Sequence, residues 1–193
     1  MARWEGNTQG RLERAALDLF TEQGYDRTTV AQIARRANLT ERSFYRWFAD
    51  KREVLFGGGG ELERAITDAI AAVPAGTGAL ATLLIACRAA PEVMRPRDFL
   101  RERAAVIAAN PPLQERELIK LASLAETITG ALVDRGFDPQ TAQLATEVGS
   151  AVLRLATARW VADEGADYNQ ALAAAAEQLL AVTVEGVGDP AIR

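Results

Sequence analysis

The side chains best equipped for recognition chemistry lie close together, in the segment TERSFYRWFADK at residues 40–51. Arg42 and Arg46 carry permanent positive charge there, and Glu41 and Ser43 add further hydrogen-bonding groups. An arginine can donate to O6 and N7 of one guanine, a carboxylate can accept from cytosine N4, and a hydroxyl can bond a base or a phosphate. On one exposed helical face these groups predict contacts to base edges, with Arg42 as the first candidate. The alternative is that Glu41 and Arg42 are ordinary solvated surface.

A second group of side chains could bond phosphates, which position a protein on DNA without reading its sequence. These hydroxyl, indole and ammonium donors are Thr29, Thr40, Tyr45, Trp47 and Lys51. Free backbone N–H groups at the starts of two predicted helices would add to them. The alternative is structural: the threonines would only cap helices, and the two aromatic side chains would only pack.

Three short helices are predicted to carry these residues. Apolar residues recur at helical spacing over 11–23. Thr29 and Gln32 form a capping-box pattern for the second helix, and Thr40 is a good N-cap for the third. Between them Asn38 occupies a turn position that requires a positive φ, which asparagine tolerates better than most residues.

The third predicted helix has an apolar side and a polar side. Phe44 and Phe48 are four residues apart, so they share one face and are expected to pack inward. The polar and basic side chains then point outward. This arrangement predicts a helix-turn-helix motif at about 29–48, whose second helix enters the major groove of DNA.

Helical patterns and caps continue to the end of the chain, which predicts an all-α protein of about nine helices. Asp50 would cap a fourth helix, and the four glycines at 57–60 would weaken, kink or break it, either as a hinge or as a harmless kink. Further helices are predicted at 79–90, closed by Pro91, and at 97–109, 111–135, 139–164 and 168–185.

Composition limits the classes of function. The chain has 193 residues, of which 49% are hydrophobic and 25% charged, with no histidine and Cys87 as its one cysteine. Histidine-based triads, histidine metal sites and cysteine metal clusters are therefore excluded. Catalysis by carboxylates or lysine stays possible, but because the commonest catalytic groups are missing we predict no metal, no cofactor and no enzymatic activity. Without an apolar run long enough for a bilayer or a signal-peptide pattern, a cytoplasmic protein without membrane association is expected.

Charge is distributed unevenly along the chain. The net charge of the whole sequence is −4, but residues 1–52 hold ten Lys/Arg and seven Asp/Glu, while residues 53–193 hold twelve and nineteen. A basic amino-terminal segment on an acidic body is typical of a DNA-binding module, although an excess of this size also arises by chance.

The sequence TTVAQIARRANLTERSFYRWFADKREVLF resembles the amino-terminal signature of the TetR family of bacterial transcriptional regulators, over roughly residues 9–56. Asn38 stands where the family usually has glycine, and Trp47 where histidine or tyrosine is commoner. The resemblance implies a DNA-binding domain at 1–52 and a helical effector-binding and dimerisation domain at 53–193. It also implies a homodimeric repressor that binds a double-stranded palindromic operator and responds to an unknown small molecule.

The same resemblance implies two further sites in the carboxyl-terminal domain. The effector pocket would be lined by Ile66, Ile70, Leu84, Cys87, Arg88, Phe99, Arg103, Val106, Leu121, Leu124 and Glu126. The dimer interface would contain Leu144, Val148, Val152, Leu155, Arg159, Leu172, Ala176, Leu179 and Val182. Each of these residues is also consistent with plain core or surface, because a helical stripe alone does not separate the two.

Two other functions fit the same sequence less well. One is a DNA-binding regulator without a ligand, controlled by abundance or by a protein partner. The other is a helical small-molecule carrier or enzyme that keeps the amino-terminal fold for packing and shows no salt-dependent affinity for DNA.

Overall fold

The computed structural model describes residues 7–187, and the side chains up to residue 183. This part of the chain is all-helical, as predicted. Its α-helices are α1 (Thr8–Gln23), α2 (Val30–Arg36), α3 (Glu41–Tyr45), α4 (Gly59–Ala72), α5 (Ala79–Ala86), α6 (Ala90–Val93), α7 (Arg97–Ala108), α8 (Pro111–Asp134), α9 (Pro139–Ala162) and α10 (Tyr168–Val187). Two 3₁₀ turns, Glu53–Leu55 and Cys87–Ala89, complete it, and the second makes α5 and α6 one continuous segment.

The described residues form two compact units. The first unit contains residues 7–61 and Met94–Ser123, and the second contains Leu62–Val93 and residues 124–187. The sequence placed a single boundary after residue 52, whereas the structure adds a distant segment to the amino-terminal part. That segment belongs there because α7 packs against α1, a contact between residues far apart in sequence.

Local signals in the first unit act as predicted. The Thr29 side chain accepts from the Gln32 backbone N–H while the Gln32 side chain accepts from the Thr29 N–H, which completes the capping box of α2. Asn38 has φ 55°, the left-handed turn conformation expected between α2 and α3. Thr40 caps α3 by accepting from the Ser43 N–H.

The glycine run breaks the predicted fourth helix. Asp50 accepts from the backbone N–H groups of Arg52 and Glu53 at 2.7 and 3.2 Å, as a helix cap would. The cap starts only one 3₁₀ turn, and the α-helix begins at Gly59. The prediction of a weakened or broken helix is confirmed, with the break before α4.

Pro91 does not close the fifth helix, contrary to the sequence prediction. The 3₁₀ turn at Cys87–Ala89 ends the α5 hydrogen-bond ladder before the proline, and α6 then starts at Ala90. Pro91 therefore lies in a first helical turn, where its missing N–H has no partner to lose.

Each unit has its own apolar core. In the first, side chains from α1 to α3 pack with the 3₁₀ turn and with α7, around Leu12, Phe20, Ile33, Phe44 and Phe99. In the second, α5 lies against α9, and α9 against α10. No helix in the described residues is both long enough and apolar enough to cross a lipid bilayer.

Candidate nucleic-acid interface

Two phenylalanines fix the third helix on the first unit. Phe44 is fully buried, Phe48 is almost so, and their ring centroids are 5.3 Å apart. The Tyr45 ring meets Phe44 edge-on at 5.5 Å. Since Phe44 and Phe48 occupy the inner face, the remaining side chains of this short helix are directed outward.

The outer face of α3 is polar, basic and aromatic. Glu41, Arg42 and Arg46 are exposed, and Tyr45 and Trp47 retain 56% and 47% of their accessible surface. The Arg46 guanidinium lies 6.0 Å from the Trp47 ring centroid. Within residues 7–187 neither Arg42 nor Arg46 forms an ion pair, so both charges are available to an anionic partner.

The threonine hydroxyls are engaged as caps. Thr29 Oγ1 accepts from the Gln32 N–H at 3.2 Å, and Thr40 Oγ1 accepts from the Ser43 N–H at 3.2 Å while lying 3.0 Å from Ser43 Oγ. The capping alternative is therefore realised. Both threonines are exposed, Thr29 at the start of α2 and Thr40 at the start of α3, and their contact with phosphate stays a prediction.

Lys51 has partners inside the protein. Its ammonium donates to the carbonyl oxygens of Tyr25 at 2.7 Å and Thr28 at 3.0 Å, and it lies 4.0 Å from the Tyr25 ring centroid. Burial lowers the pKa of Lys51 although the nearby Asp26 opposes that change. These contacts were not predictable from local spacing, because Tyr25 and Thr28 precede Lys51 by more than twenty residues.

Two arginines on α2 were not among the predicted contacts. Arg36 forms a bidentate pair with Glu22, with N–O distances of 2.9 and 2.6 Å, and this hydrogen bonding lowers the pKa of Glu22. Arg35 is exposed beside it. The sequence indicates this additional basic surface by two adjacent arginines, Arg35 and Arg36, in the last turn of a predicted helix.

The predicted effector-pocket residues are divided between the two units. Phe99 and Val106 belong to the apolar core of the first unit. Arg103 lies there too, where it donates to the Leu55 carbonyl at 2.6 Å. Leu121 is exposed on α8. The helical stripe of α7 reflects packing on the amino-terminal helices.

Five pocket candidates remain buried or half-buried in the second unit: Ile66, Ile70, Leu84, Cys87 and Leu124. Arg88 and Glu126 are exposed, so neither is an interior ligand contact. Burial raises the pKa of the Cys87 thiol to about 12, as expected for a small apolar side chain in a core.

The predicted dimer residues divide between core and surface. Val152 and Leu172 are buried within the second unit, because α9 and α10 pack on each other along that side. Leu144 and Val182 retain 66% and 62% of their surface, and Leu155 is also exposed. The other four are half-buried: Val148, Arg159, Ala176 and Leu179.

The exposed side of α9 carries a stripe of apolar residues, and the sequence analysis predicted only some of them. Leu144, Val148, Ala151, Leu155 and Ala158 follow one another at three- and four-residue spacing, and all are exposed or half-buried. Small residues alternate with larger ones, which permits close approach of another helix. Ala151 and Ala158 were missed because alanine gives a weak apolar signal.

The amino-terminal segment is similar in sequence to known proteins. Residues 13–56 match the model of bacterial regulatory proteins of the tetR family. The transcriptional regulator TcmR of Streptomyces glaucescens is 40% identical over 82 residues, 42% of this chain and 36% of that protein. The regulator HbdR of Aromatoleum sp. (strain CIB) is 50% identical over 42 residues, 22% of this chain and 18% of that protein. The chain thus spans about a third or less of these curated relatives.

Solved structures extend the likeness of fold to the rest of the chain. The crystal structure of Thermus thermophilus FadR, a transcriptional repressor in complex with lauroyl-CoA, superposes with a TM-score of 0.53 at 23% identity, covering 89% of this chain and 93% of that one. Both curated relatives, TcmR and HbdR, are named as transcriptional regulators. With the capped helices, the Asn38 turn and the exposed third helix, these matches show that residues 13–56 form a helix-turn-helix module similar to that of the tetR family of bacterial regulatory proteins, in a chain whose fold is like that of FadR.

Proposed function

We propose that the protein is a transcriptional regulator, a repressor, that reads an operator through the outer face of α3. One observation carries the proposal: Arg42 and Arg46 project from a helix anchored by two buried phenylalanines and have no carboxylate partner among the described residues. A guanidinium held on a rigid helix can reach guanine O6 and N7 in the major groove. Tyr45, Trp47 and the threonine caps lie beside it as candidate phosphate contacts.

The proposed regulator acts as a homodimer on a palindromic operator. The apolar stripe on α9, together with exposed Leu180 and Val182 on α10, offers a self-complementary helical face. Two copies related by a twofold axis would present two α3 helices to half-sites about one helical turn, or a multiple of it, apart.

A small-molecule effector is the proposed signal. FadR from Thermus thermophilus was crystallised with lauroyl-CoA, and the interior of the second unit of this chain holds apolar candidates such as Ile66, Ile70 and Cys87. A ligand that binds one conformation of the dimer more tightly than another shifts the population between them. Release from DNA follows when the favoured conformation no longer matches the groove spacing.

Selection of bound duplexes from random DNA by the full-length protein tests this function. The expected result is a palindrome with half-sites at helical-turn spacing, and binding that weakens steeply as salt rises. Failure to enrich any sequence, with no salt-dependent affinity, would contradict DNA reading. An asymmetric enriched site would contradict the dimer while keeping DNA binding.

Two arginine variants then separate base reading from phosphate contact. Arg42→Ala should cost about 1–3 kcal/mol on the selected site and relax the preference at one base pair. Arg35→Ala, on exposed α2, serves as the matched control and should weaken all sequences alike or not at all. Equal losses on every duplex for Arg42→Ala would remove its base-reading role.

A further inference from the structure

The Lys51 side chain joins two parts of the chain that flank the helix-turn-helix. It follows Phe48, the last anchoring residue after α3, by three positions. Its ammonium reaches back to the carbonyls of Tyr25 and Thr28, at 2.7 and 3.0 Å, and over the Tyr25 ring. Thr28 immediately precedes Thr29, the N-cap of α2. The contact therefore spans the motif from its end to its beginning.

The loop that receives this contact is closely hydrogen-bonded. The Thr28 hydroxyl donates to the Gly24 carbonyl at 2.8 Å, and its oxygen accepts from Gln23 Nε2 at 3.1 Å. The Tyr25 carbonyl accepts from the Thr28 N–H at 3.2 Å as well as from Lys51. The Tyr25 ring packs edge-on against Phe20, at 5.2 Å between centroids. Because this loop is bonded to α1 and precedes the first turn of α2, the Lys51 hydrogen bonds (the Lys51 tie) connect the end of the motif to both helices.

We propose that Lys51 is a positioning residue, whose ammonium closes the helix-turn-helix and fixes the orientation of α3 relative to α2. This inference rests on the proposed DNA-binding function, because operator affinity is one of its readouts. It replaces the sequence-based expectation that Lys51 serves chiefly as a phosphate contact.

The geometry favours the tie over a phosphate contact. An ammonium has three N–H donors, and two of them are bonded to the carbonyls of Tyr25 and Thr28. Turning Lys51 outward to a phosphate would leave the Thr28 carbonyl without this partner and would remove the cation from the Tyr25 ring. Lost hydrogen bonds to charged groups and lost cation–π contacts both oppose that movement.

Two substitutions at Lys51 separate the tie from the charge. Lys51→Met removes both, whereas Lys51→Gln removes the charge and keeps an NH₂ group that can donate to both carbonyls. Arg46→Met is the control, because it removes an exposed cation from the outer face of α3. Each full-length protein is titrated with the duplex selected by the wild type and with an unrelated duplex of equal length, at several salt concentrations.

If Lys51 positions α3, Lys51→Met should weaken binding to the selected duplex about tenfold or more, a loss of about 1.4 kcal/mol or more. Binding to the unrelated duplex should change little, and the slope of log K against log salt should stay at the wild-type value. Lys51→Gln should recover much of the lost affinity. Arg46→Met should flatten that slope by about 0.9, the contribution of one phosphate contact.

The opposite pattern overturns the proposal: both Lys51 variants weaken both duplexes equally and flatten the slope by about 0.9. Should Lys51→Met fail to fold, the slope of Lys51→Gln decides alone. Amide exchange of Ile33, whose N–H donates to the Thr29 carbonyl at 3.1 Å, provides a readout in the DNA-free protein that does not depend on DNA binding. Faster exchange in Lys51→Met than in Lys51→Gln supports the tie even if no operator is found, and equal exchange contradicts it.

Discussion

The two units of this protein are stabilised differently. In the first, buried and half-buried arginines bridge segments that are distant in sequence: Arg95 bonds Glu13 in a two-pronged pair at 2.8 and 3.0 Å, and also reaches Glu61 at 2.8 Å. Arg103 donates to the Leu55 carbonyl and covers the Phe56 ring, with its guanidinium carbon 4.8 Å from the centroid.

In the second unit, helices meet mainly through apolar and small residues. A Cβ added at Gly149 of α9 would lie 2.4 Å from Leu83 Cδ2 of α5, so the two helices touch where glycine has no side chain. The same helix exposes Leu144 and Leu155 on its opposite side.

The two units should therefore depend on different interactions for their stability. Every arginine contact just described joins two residues of the first unit. Several of these contacts involve residues of the segment that follows α3. The second unit leaves an apolar stripe uncovered, and we interpret that stripe as the place for a second copy. The first unit should therefore depend on its internal charge pairs, and the second on association.

The largest expected effect comes from removing Arg95. Its side chain and that of Glu13 are 11% and 2% exposed, so Arg95→Met leaves a buried carboxylate without its cation. Such a loss costs about 3–5 kcal/mol, whereas replacing both partners by apolar residues is often neutral. The free energy of unfolding, measured in urea, should fall by that amount in Arg95→Met. It should recover in the Glu13→Met/Arg95→Met double variant, and equal losses in both proteins would show that the pair does not carry the effect.

A charge on the α9 stripe should dissociate the proposed dimer. Leu144→Glu places a carboxylate on a side chain that is 66% exposed in the single copy, so the fold of each protomer should be unaffected. Burying a carboxylate against an apolar face without a partner should cost about 2 kcal/mol, which raises the dissociation constant of the proposed dimer about thirtyfold. Sedimentation equilibrium measures this change.

Leu118→Glu is the matched control for the stripe. Leu118 is 68% exposed on α8, outside α9 and α10, so its substitution should leave the dissociation constant unchanged. Equal weakening in both variants, or a wild-type protein that stays monomeric at micromolar concentration, would contradict the interface proposed for α9.

The glycine run supplies an intermediate effect. A Cβ at Gly57 would lie 2.4 Å from Glu13 Oε1 and 3.0 Å from Phe48 Cε1, whereas a Cβ at Gly59 meets nothing within 4 Å. Gly57→Ala should therefore destabilise the protein by about 1–3 kcal/mol through overpacking. Gly59→Ala should stabilise α4 by up to about 1 kcal/mol. Urea unfolding of the two variants checks this, and equal changes would mean that Gly57 has room to relax.

The fold was predictable wherever the controlling interactions are local. The caps at Thr29 and Thr40 and the turn at Asn38 involve neighbours within a few residues, and the inward faces of Phe44 and Phe48 follow from helical periodicity. The outer face of α3 followed from the same periodicity, and the structure exposes Arg42 as that interpretation requires.

The long-range contacts were not predictable in the same way. Glu13 and Arg95 are 82 positions apart, and Lys51 and Tyr25 are 26 apart, so no spacing rule connects them. For the same reason Phe99 suggested a pocket but packs with the amino-terminal helices. Val152 and Leu172 were predicted at the dimer interface, but both are buried within the second unit. Helical periodicity identifies an apolar side of a helix without showing whether that side packs in the core or stays at the surface.

The smallest expected effect is the loss of stability at low pH when the Glu53 carboxylate is protonated. Burial favours the neutral form of Glu53, but hydrogen bonds from Arg116 and Lys120 outweigh it and lower the pKa of this carboxyl below its ordinary 4.5. A lowered pKa in the folded state adds stability above the unfolded pKa, and that stability is lost as pH falls below about 4.5 through the folded value. The side chains of Arg116 and Lys120 are 29% and 39% exposed, so solvent screens both pairs and limits their contribution to about 1 kcal/mol. Glu53→Gln should therefore be less stable than the wild type at pH 7, measured by urea unfolding, with the difference shrinking towards pH 3. A difference that stays constant over this range would mean that Glu53 acts by packing, because only an ionised carboxylate gains from Arg116 and Lys120.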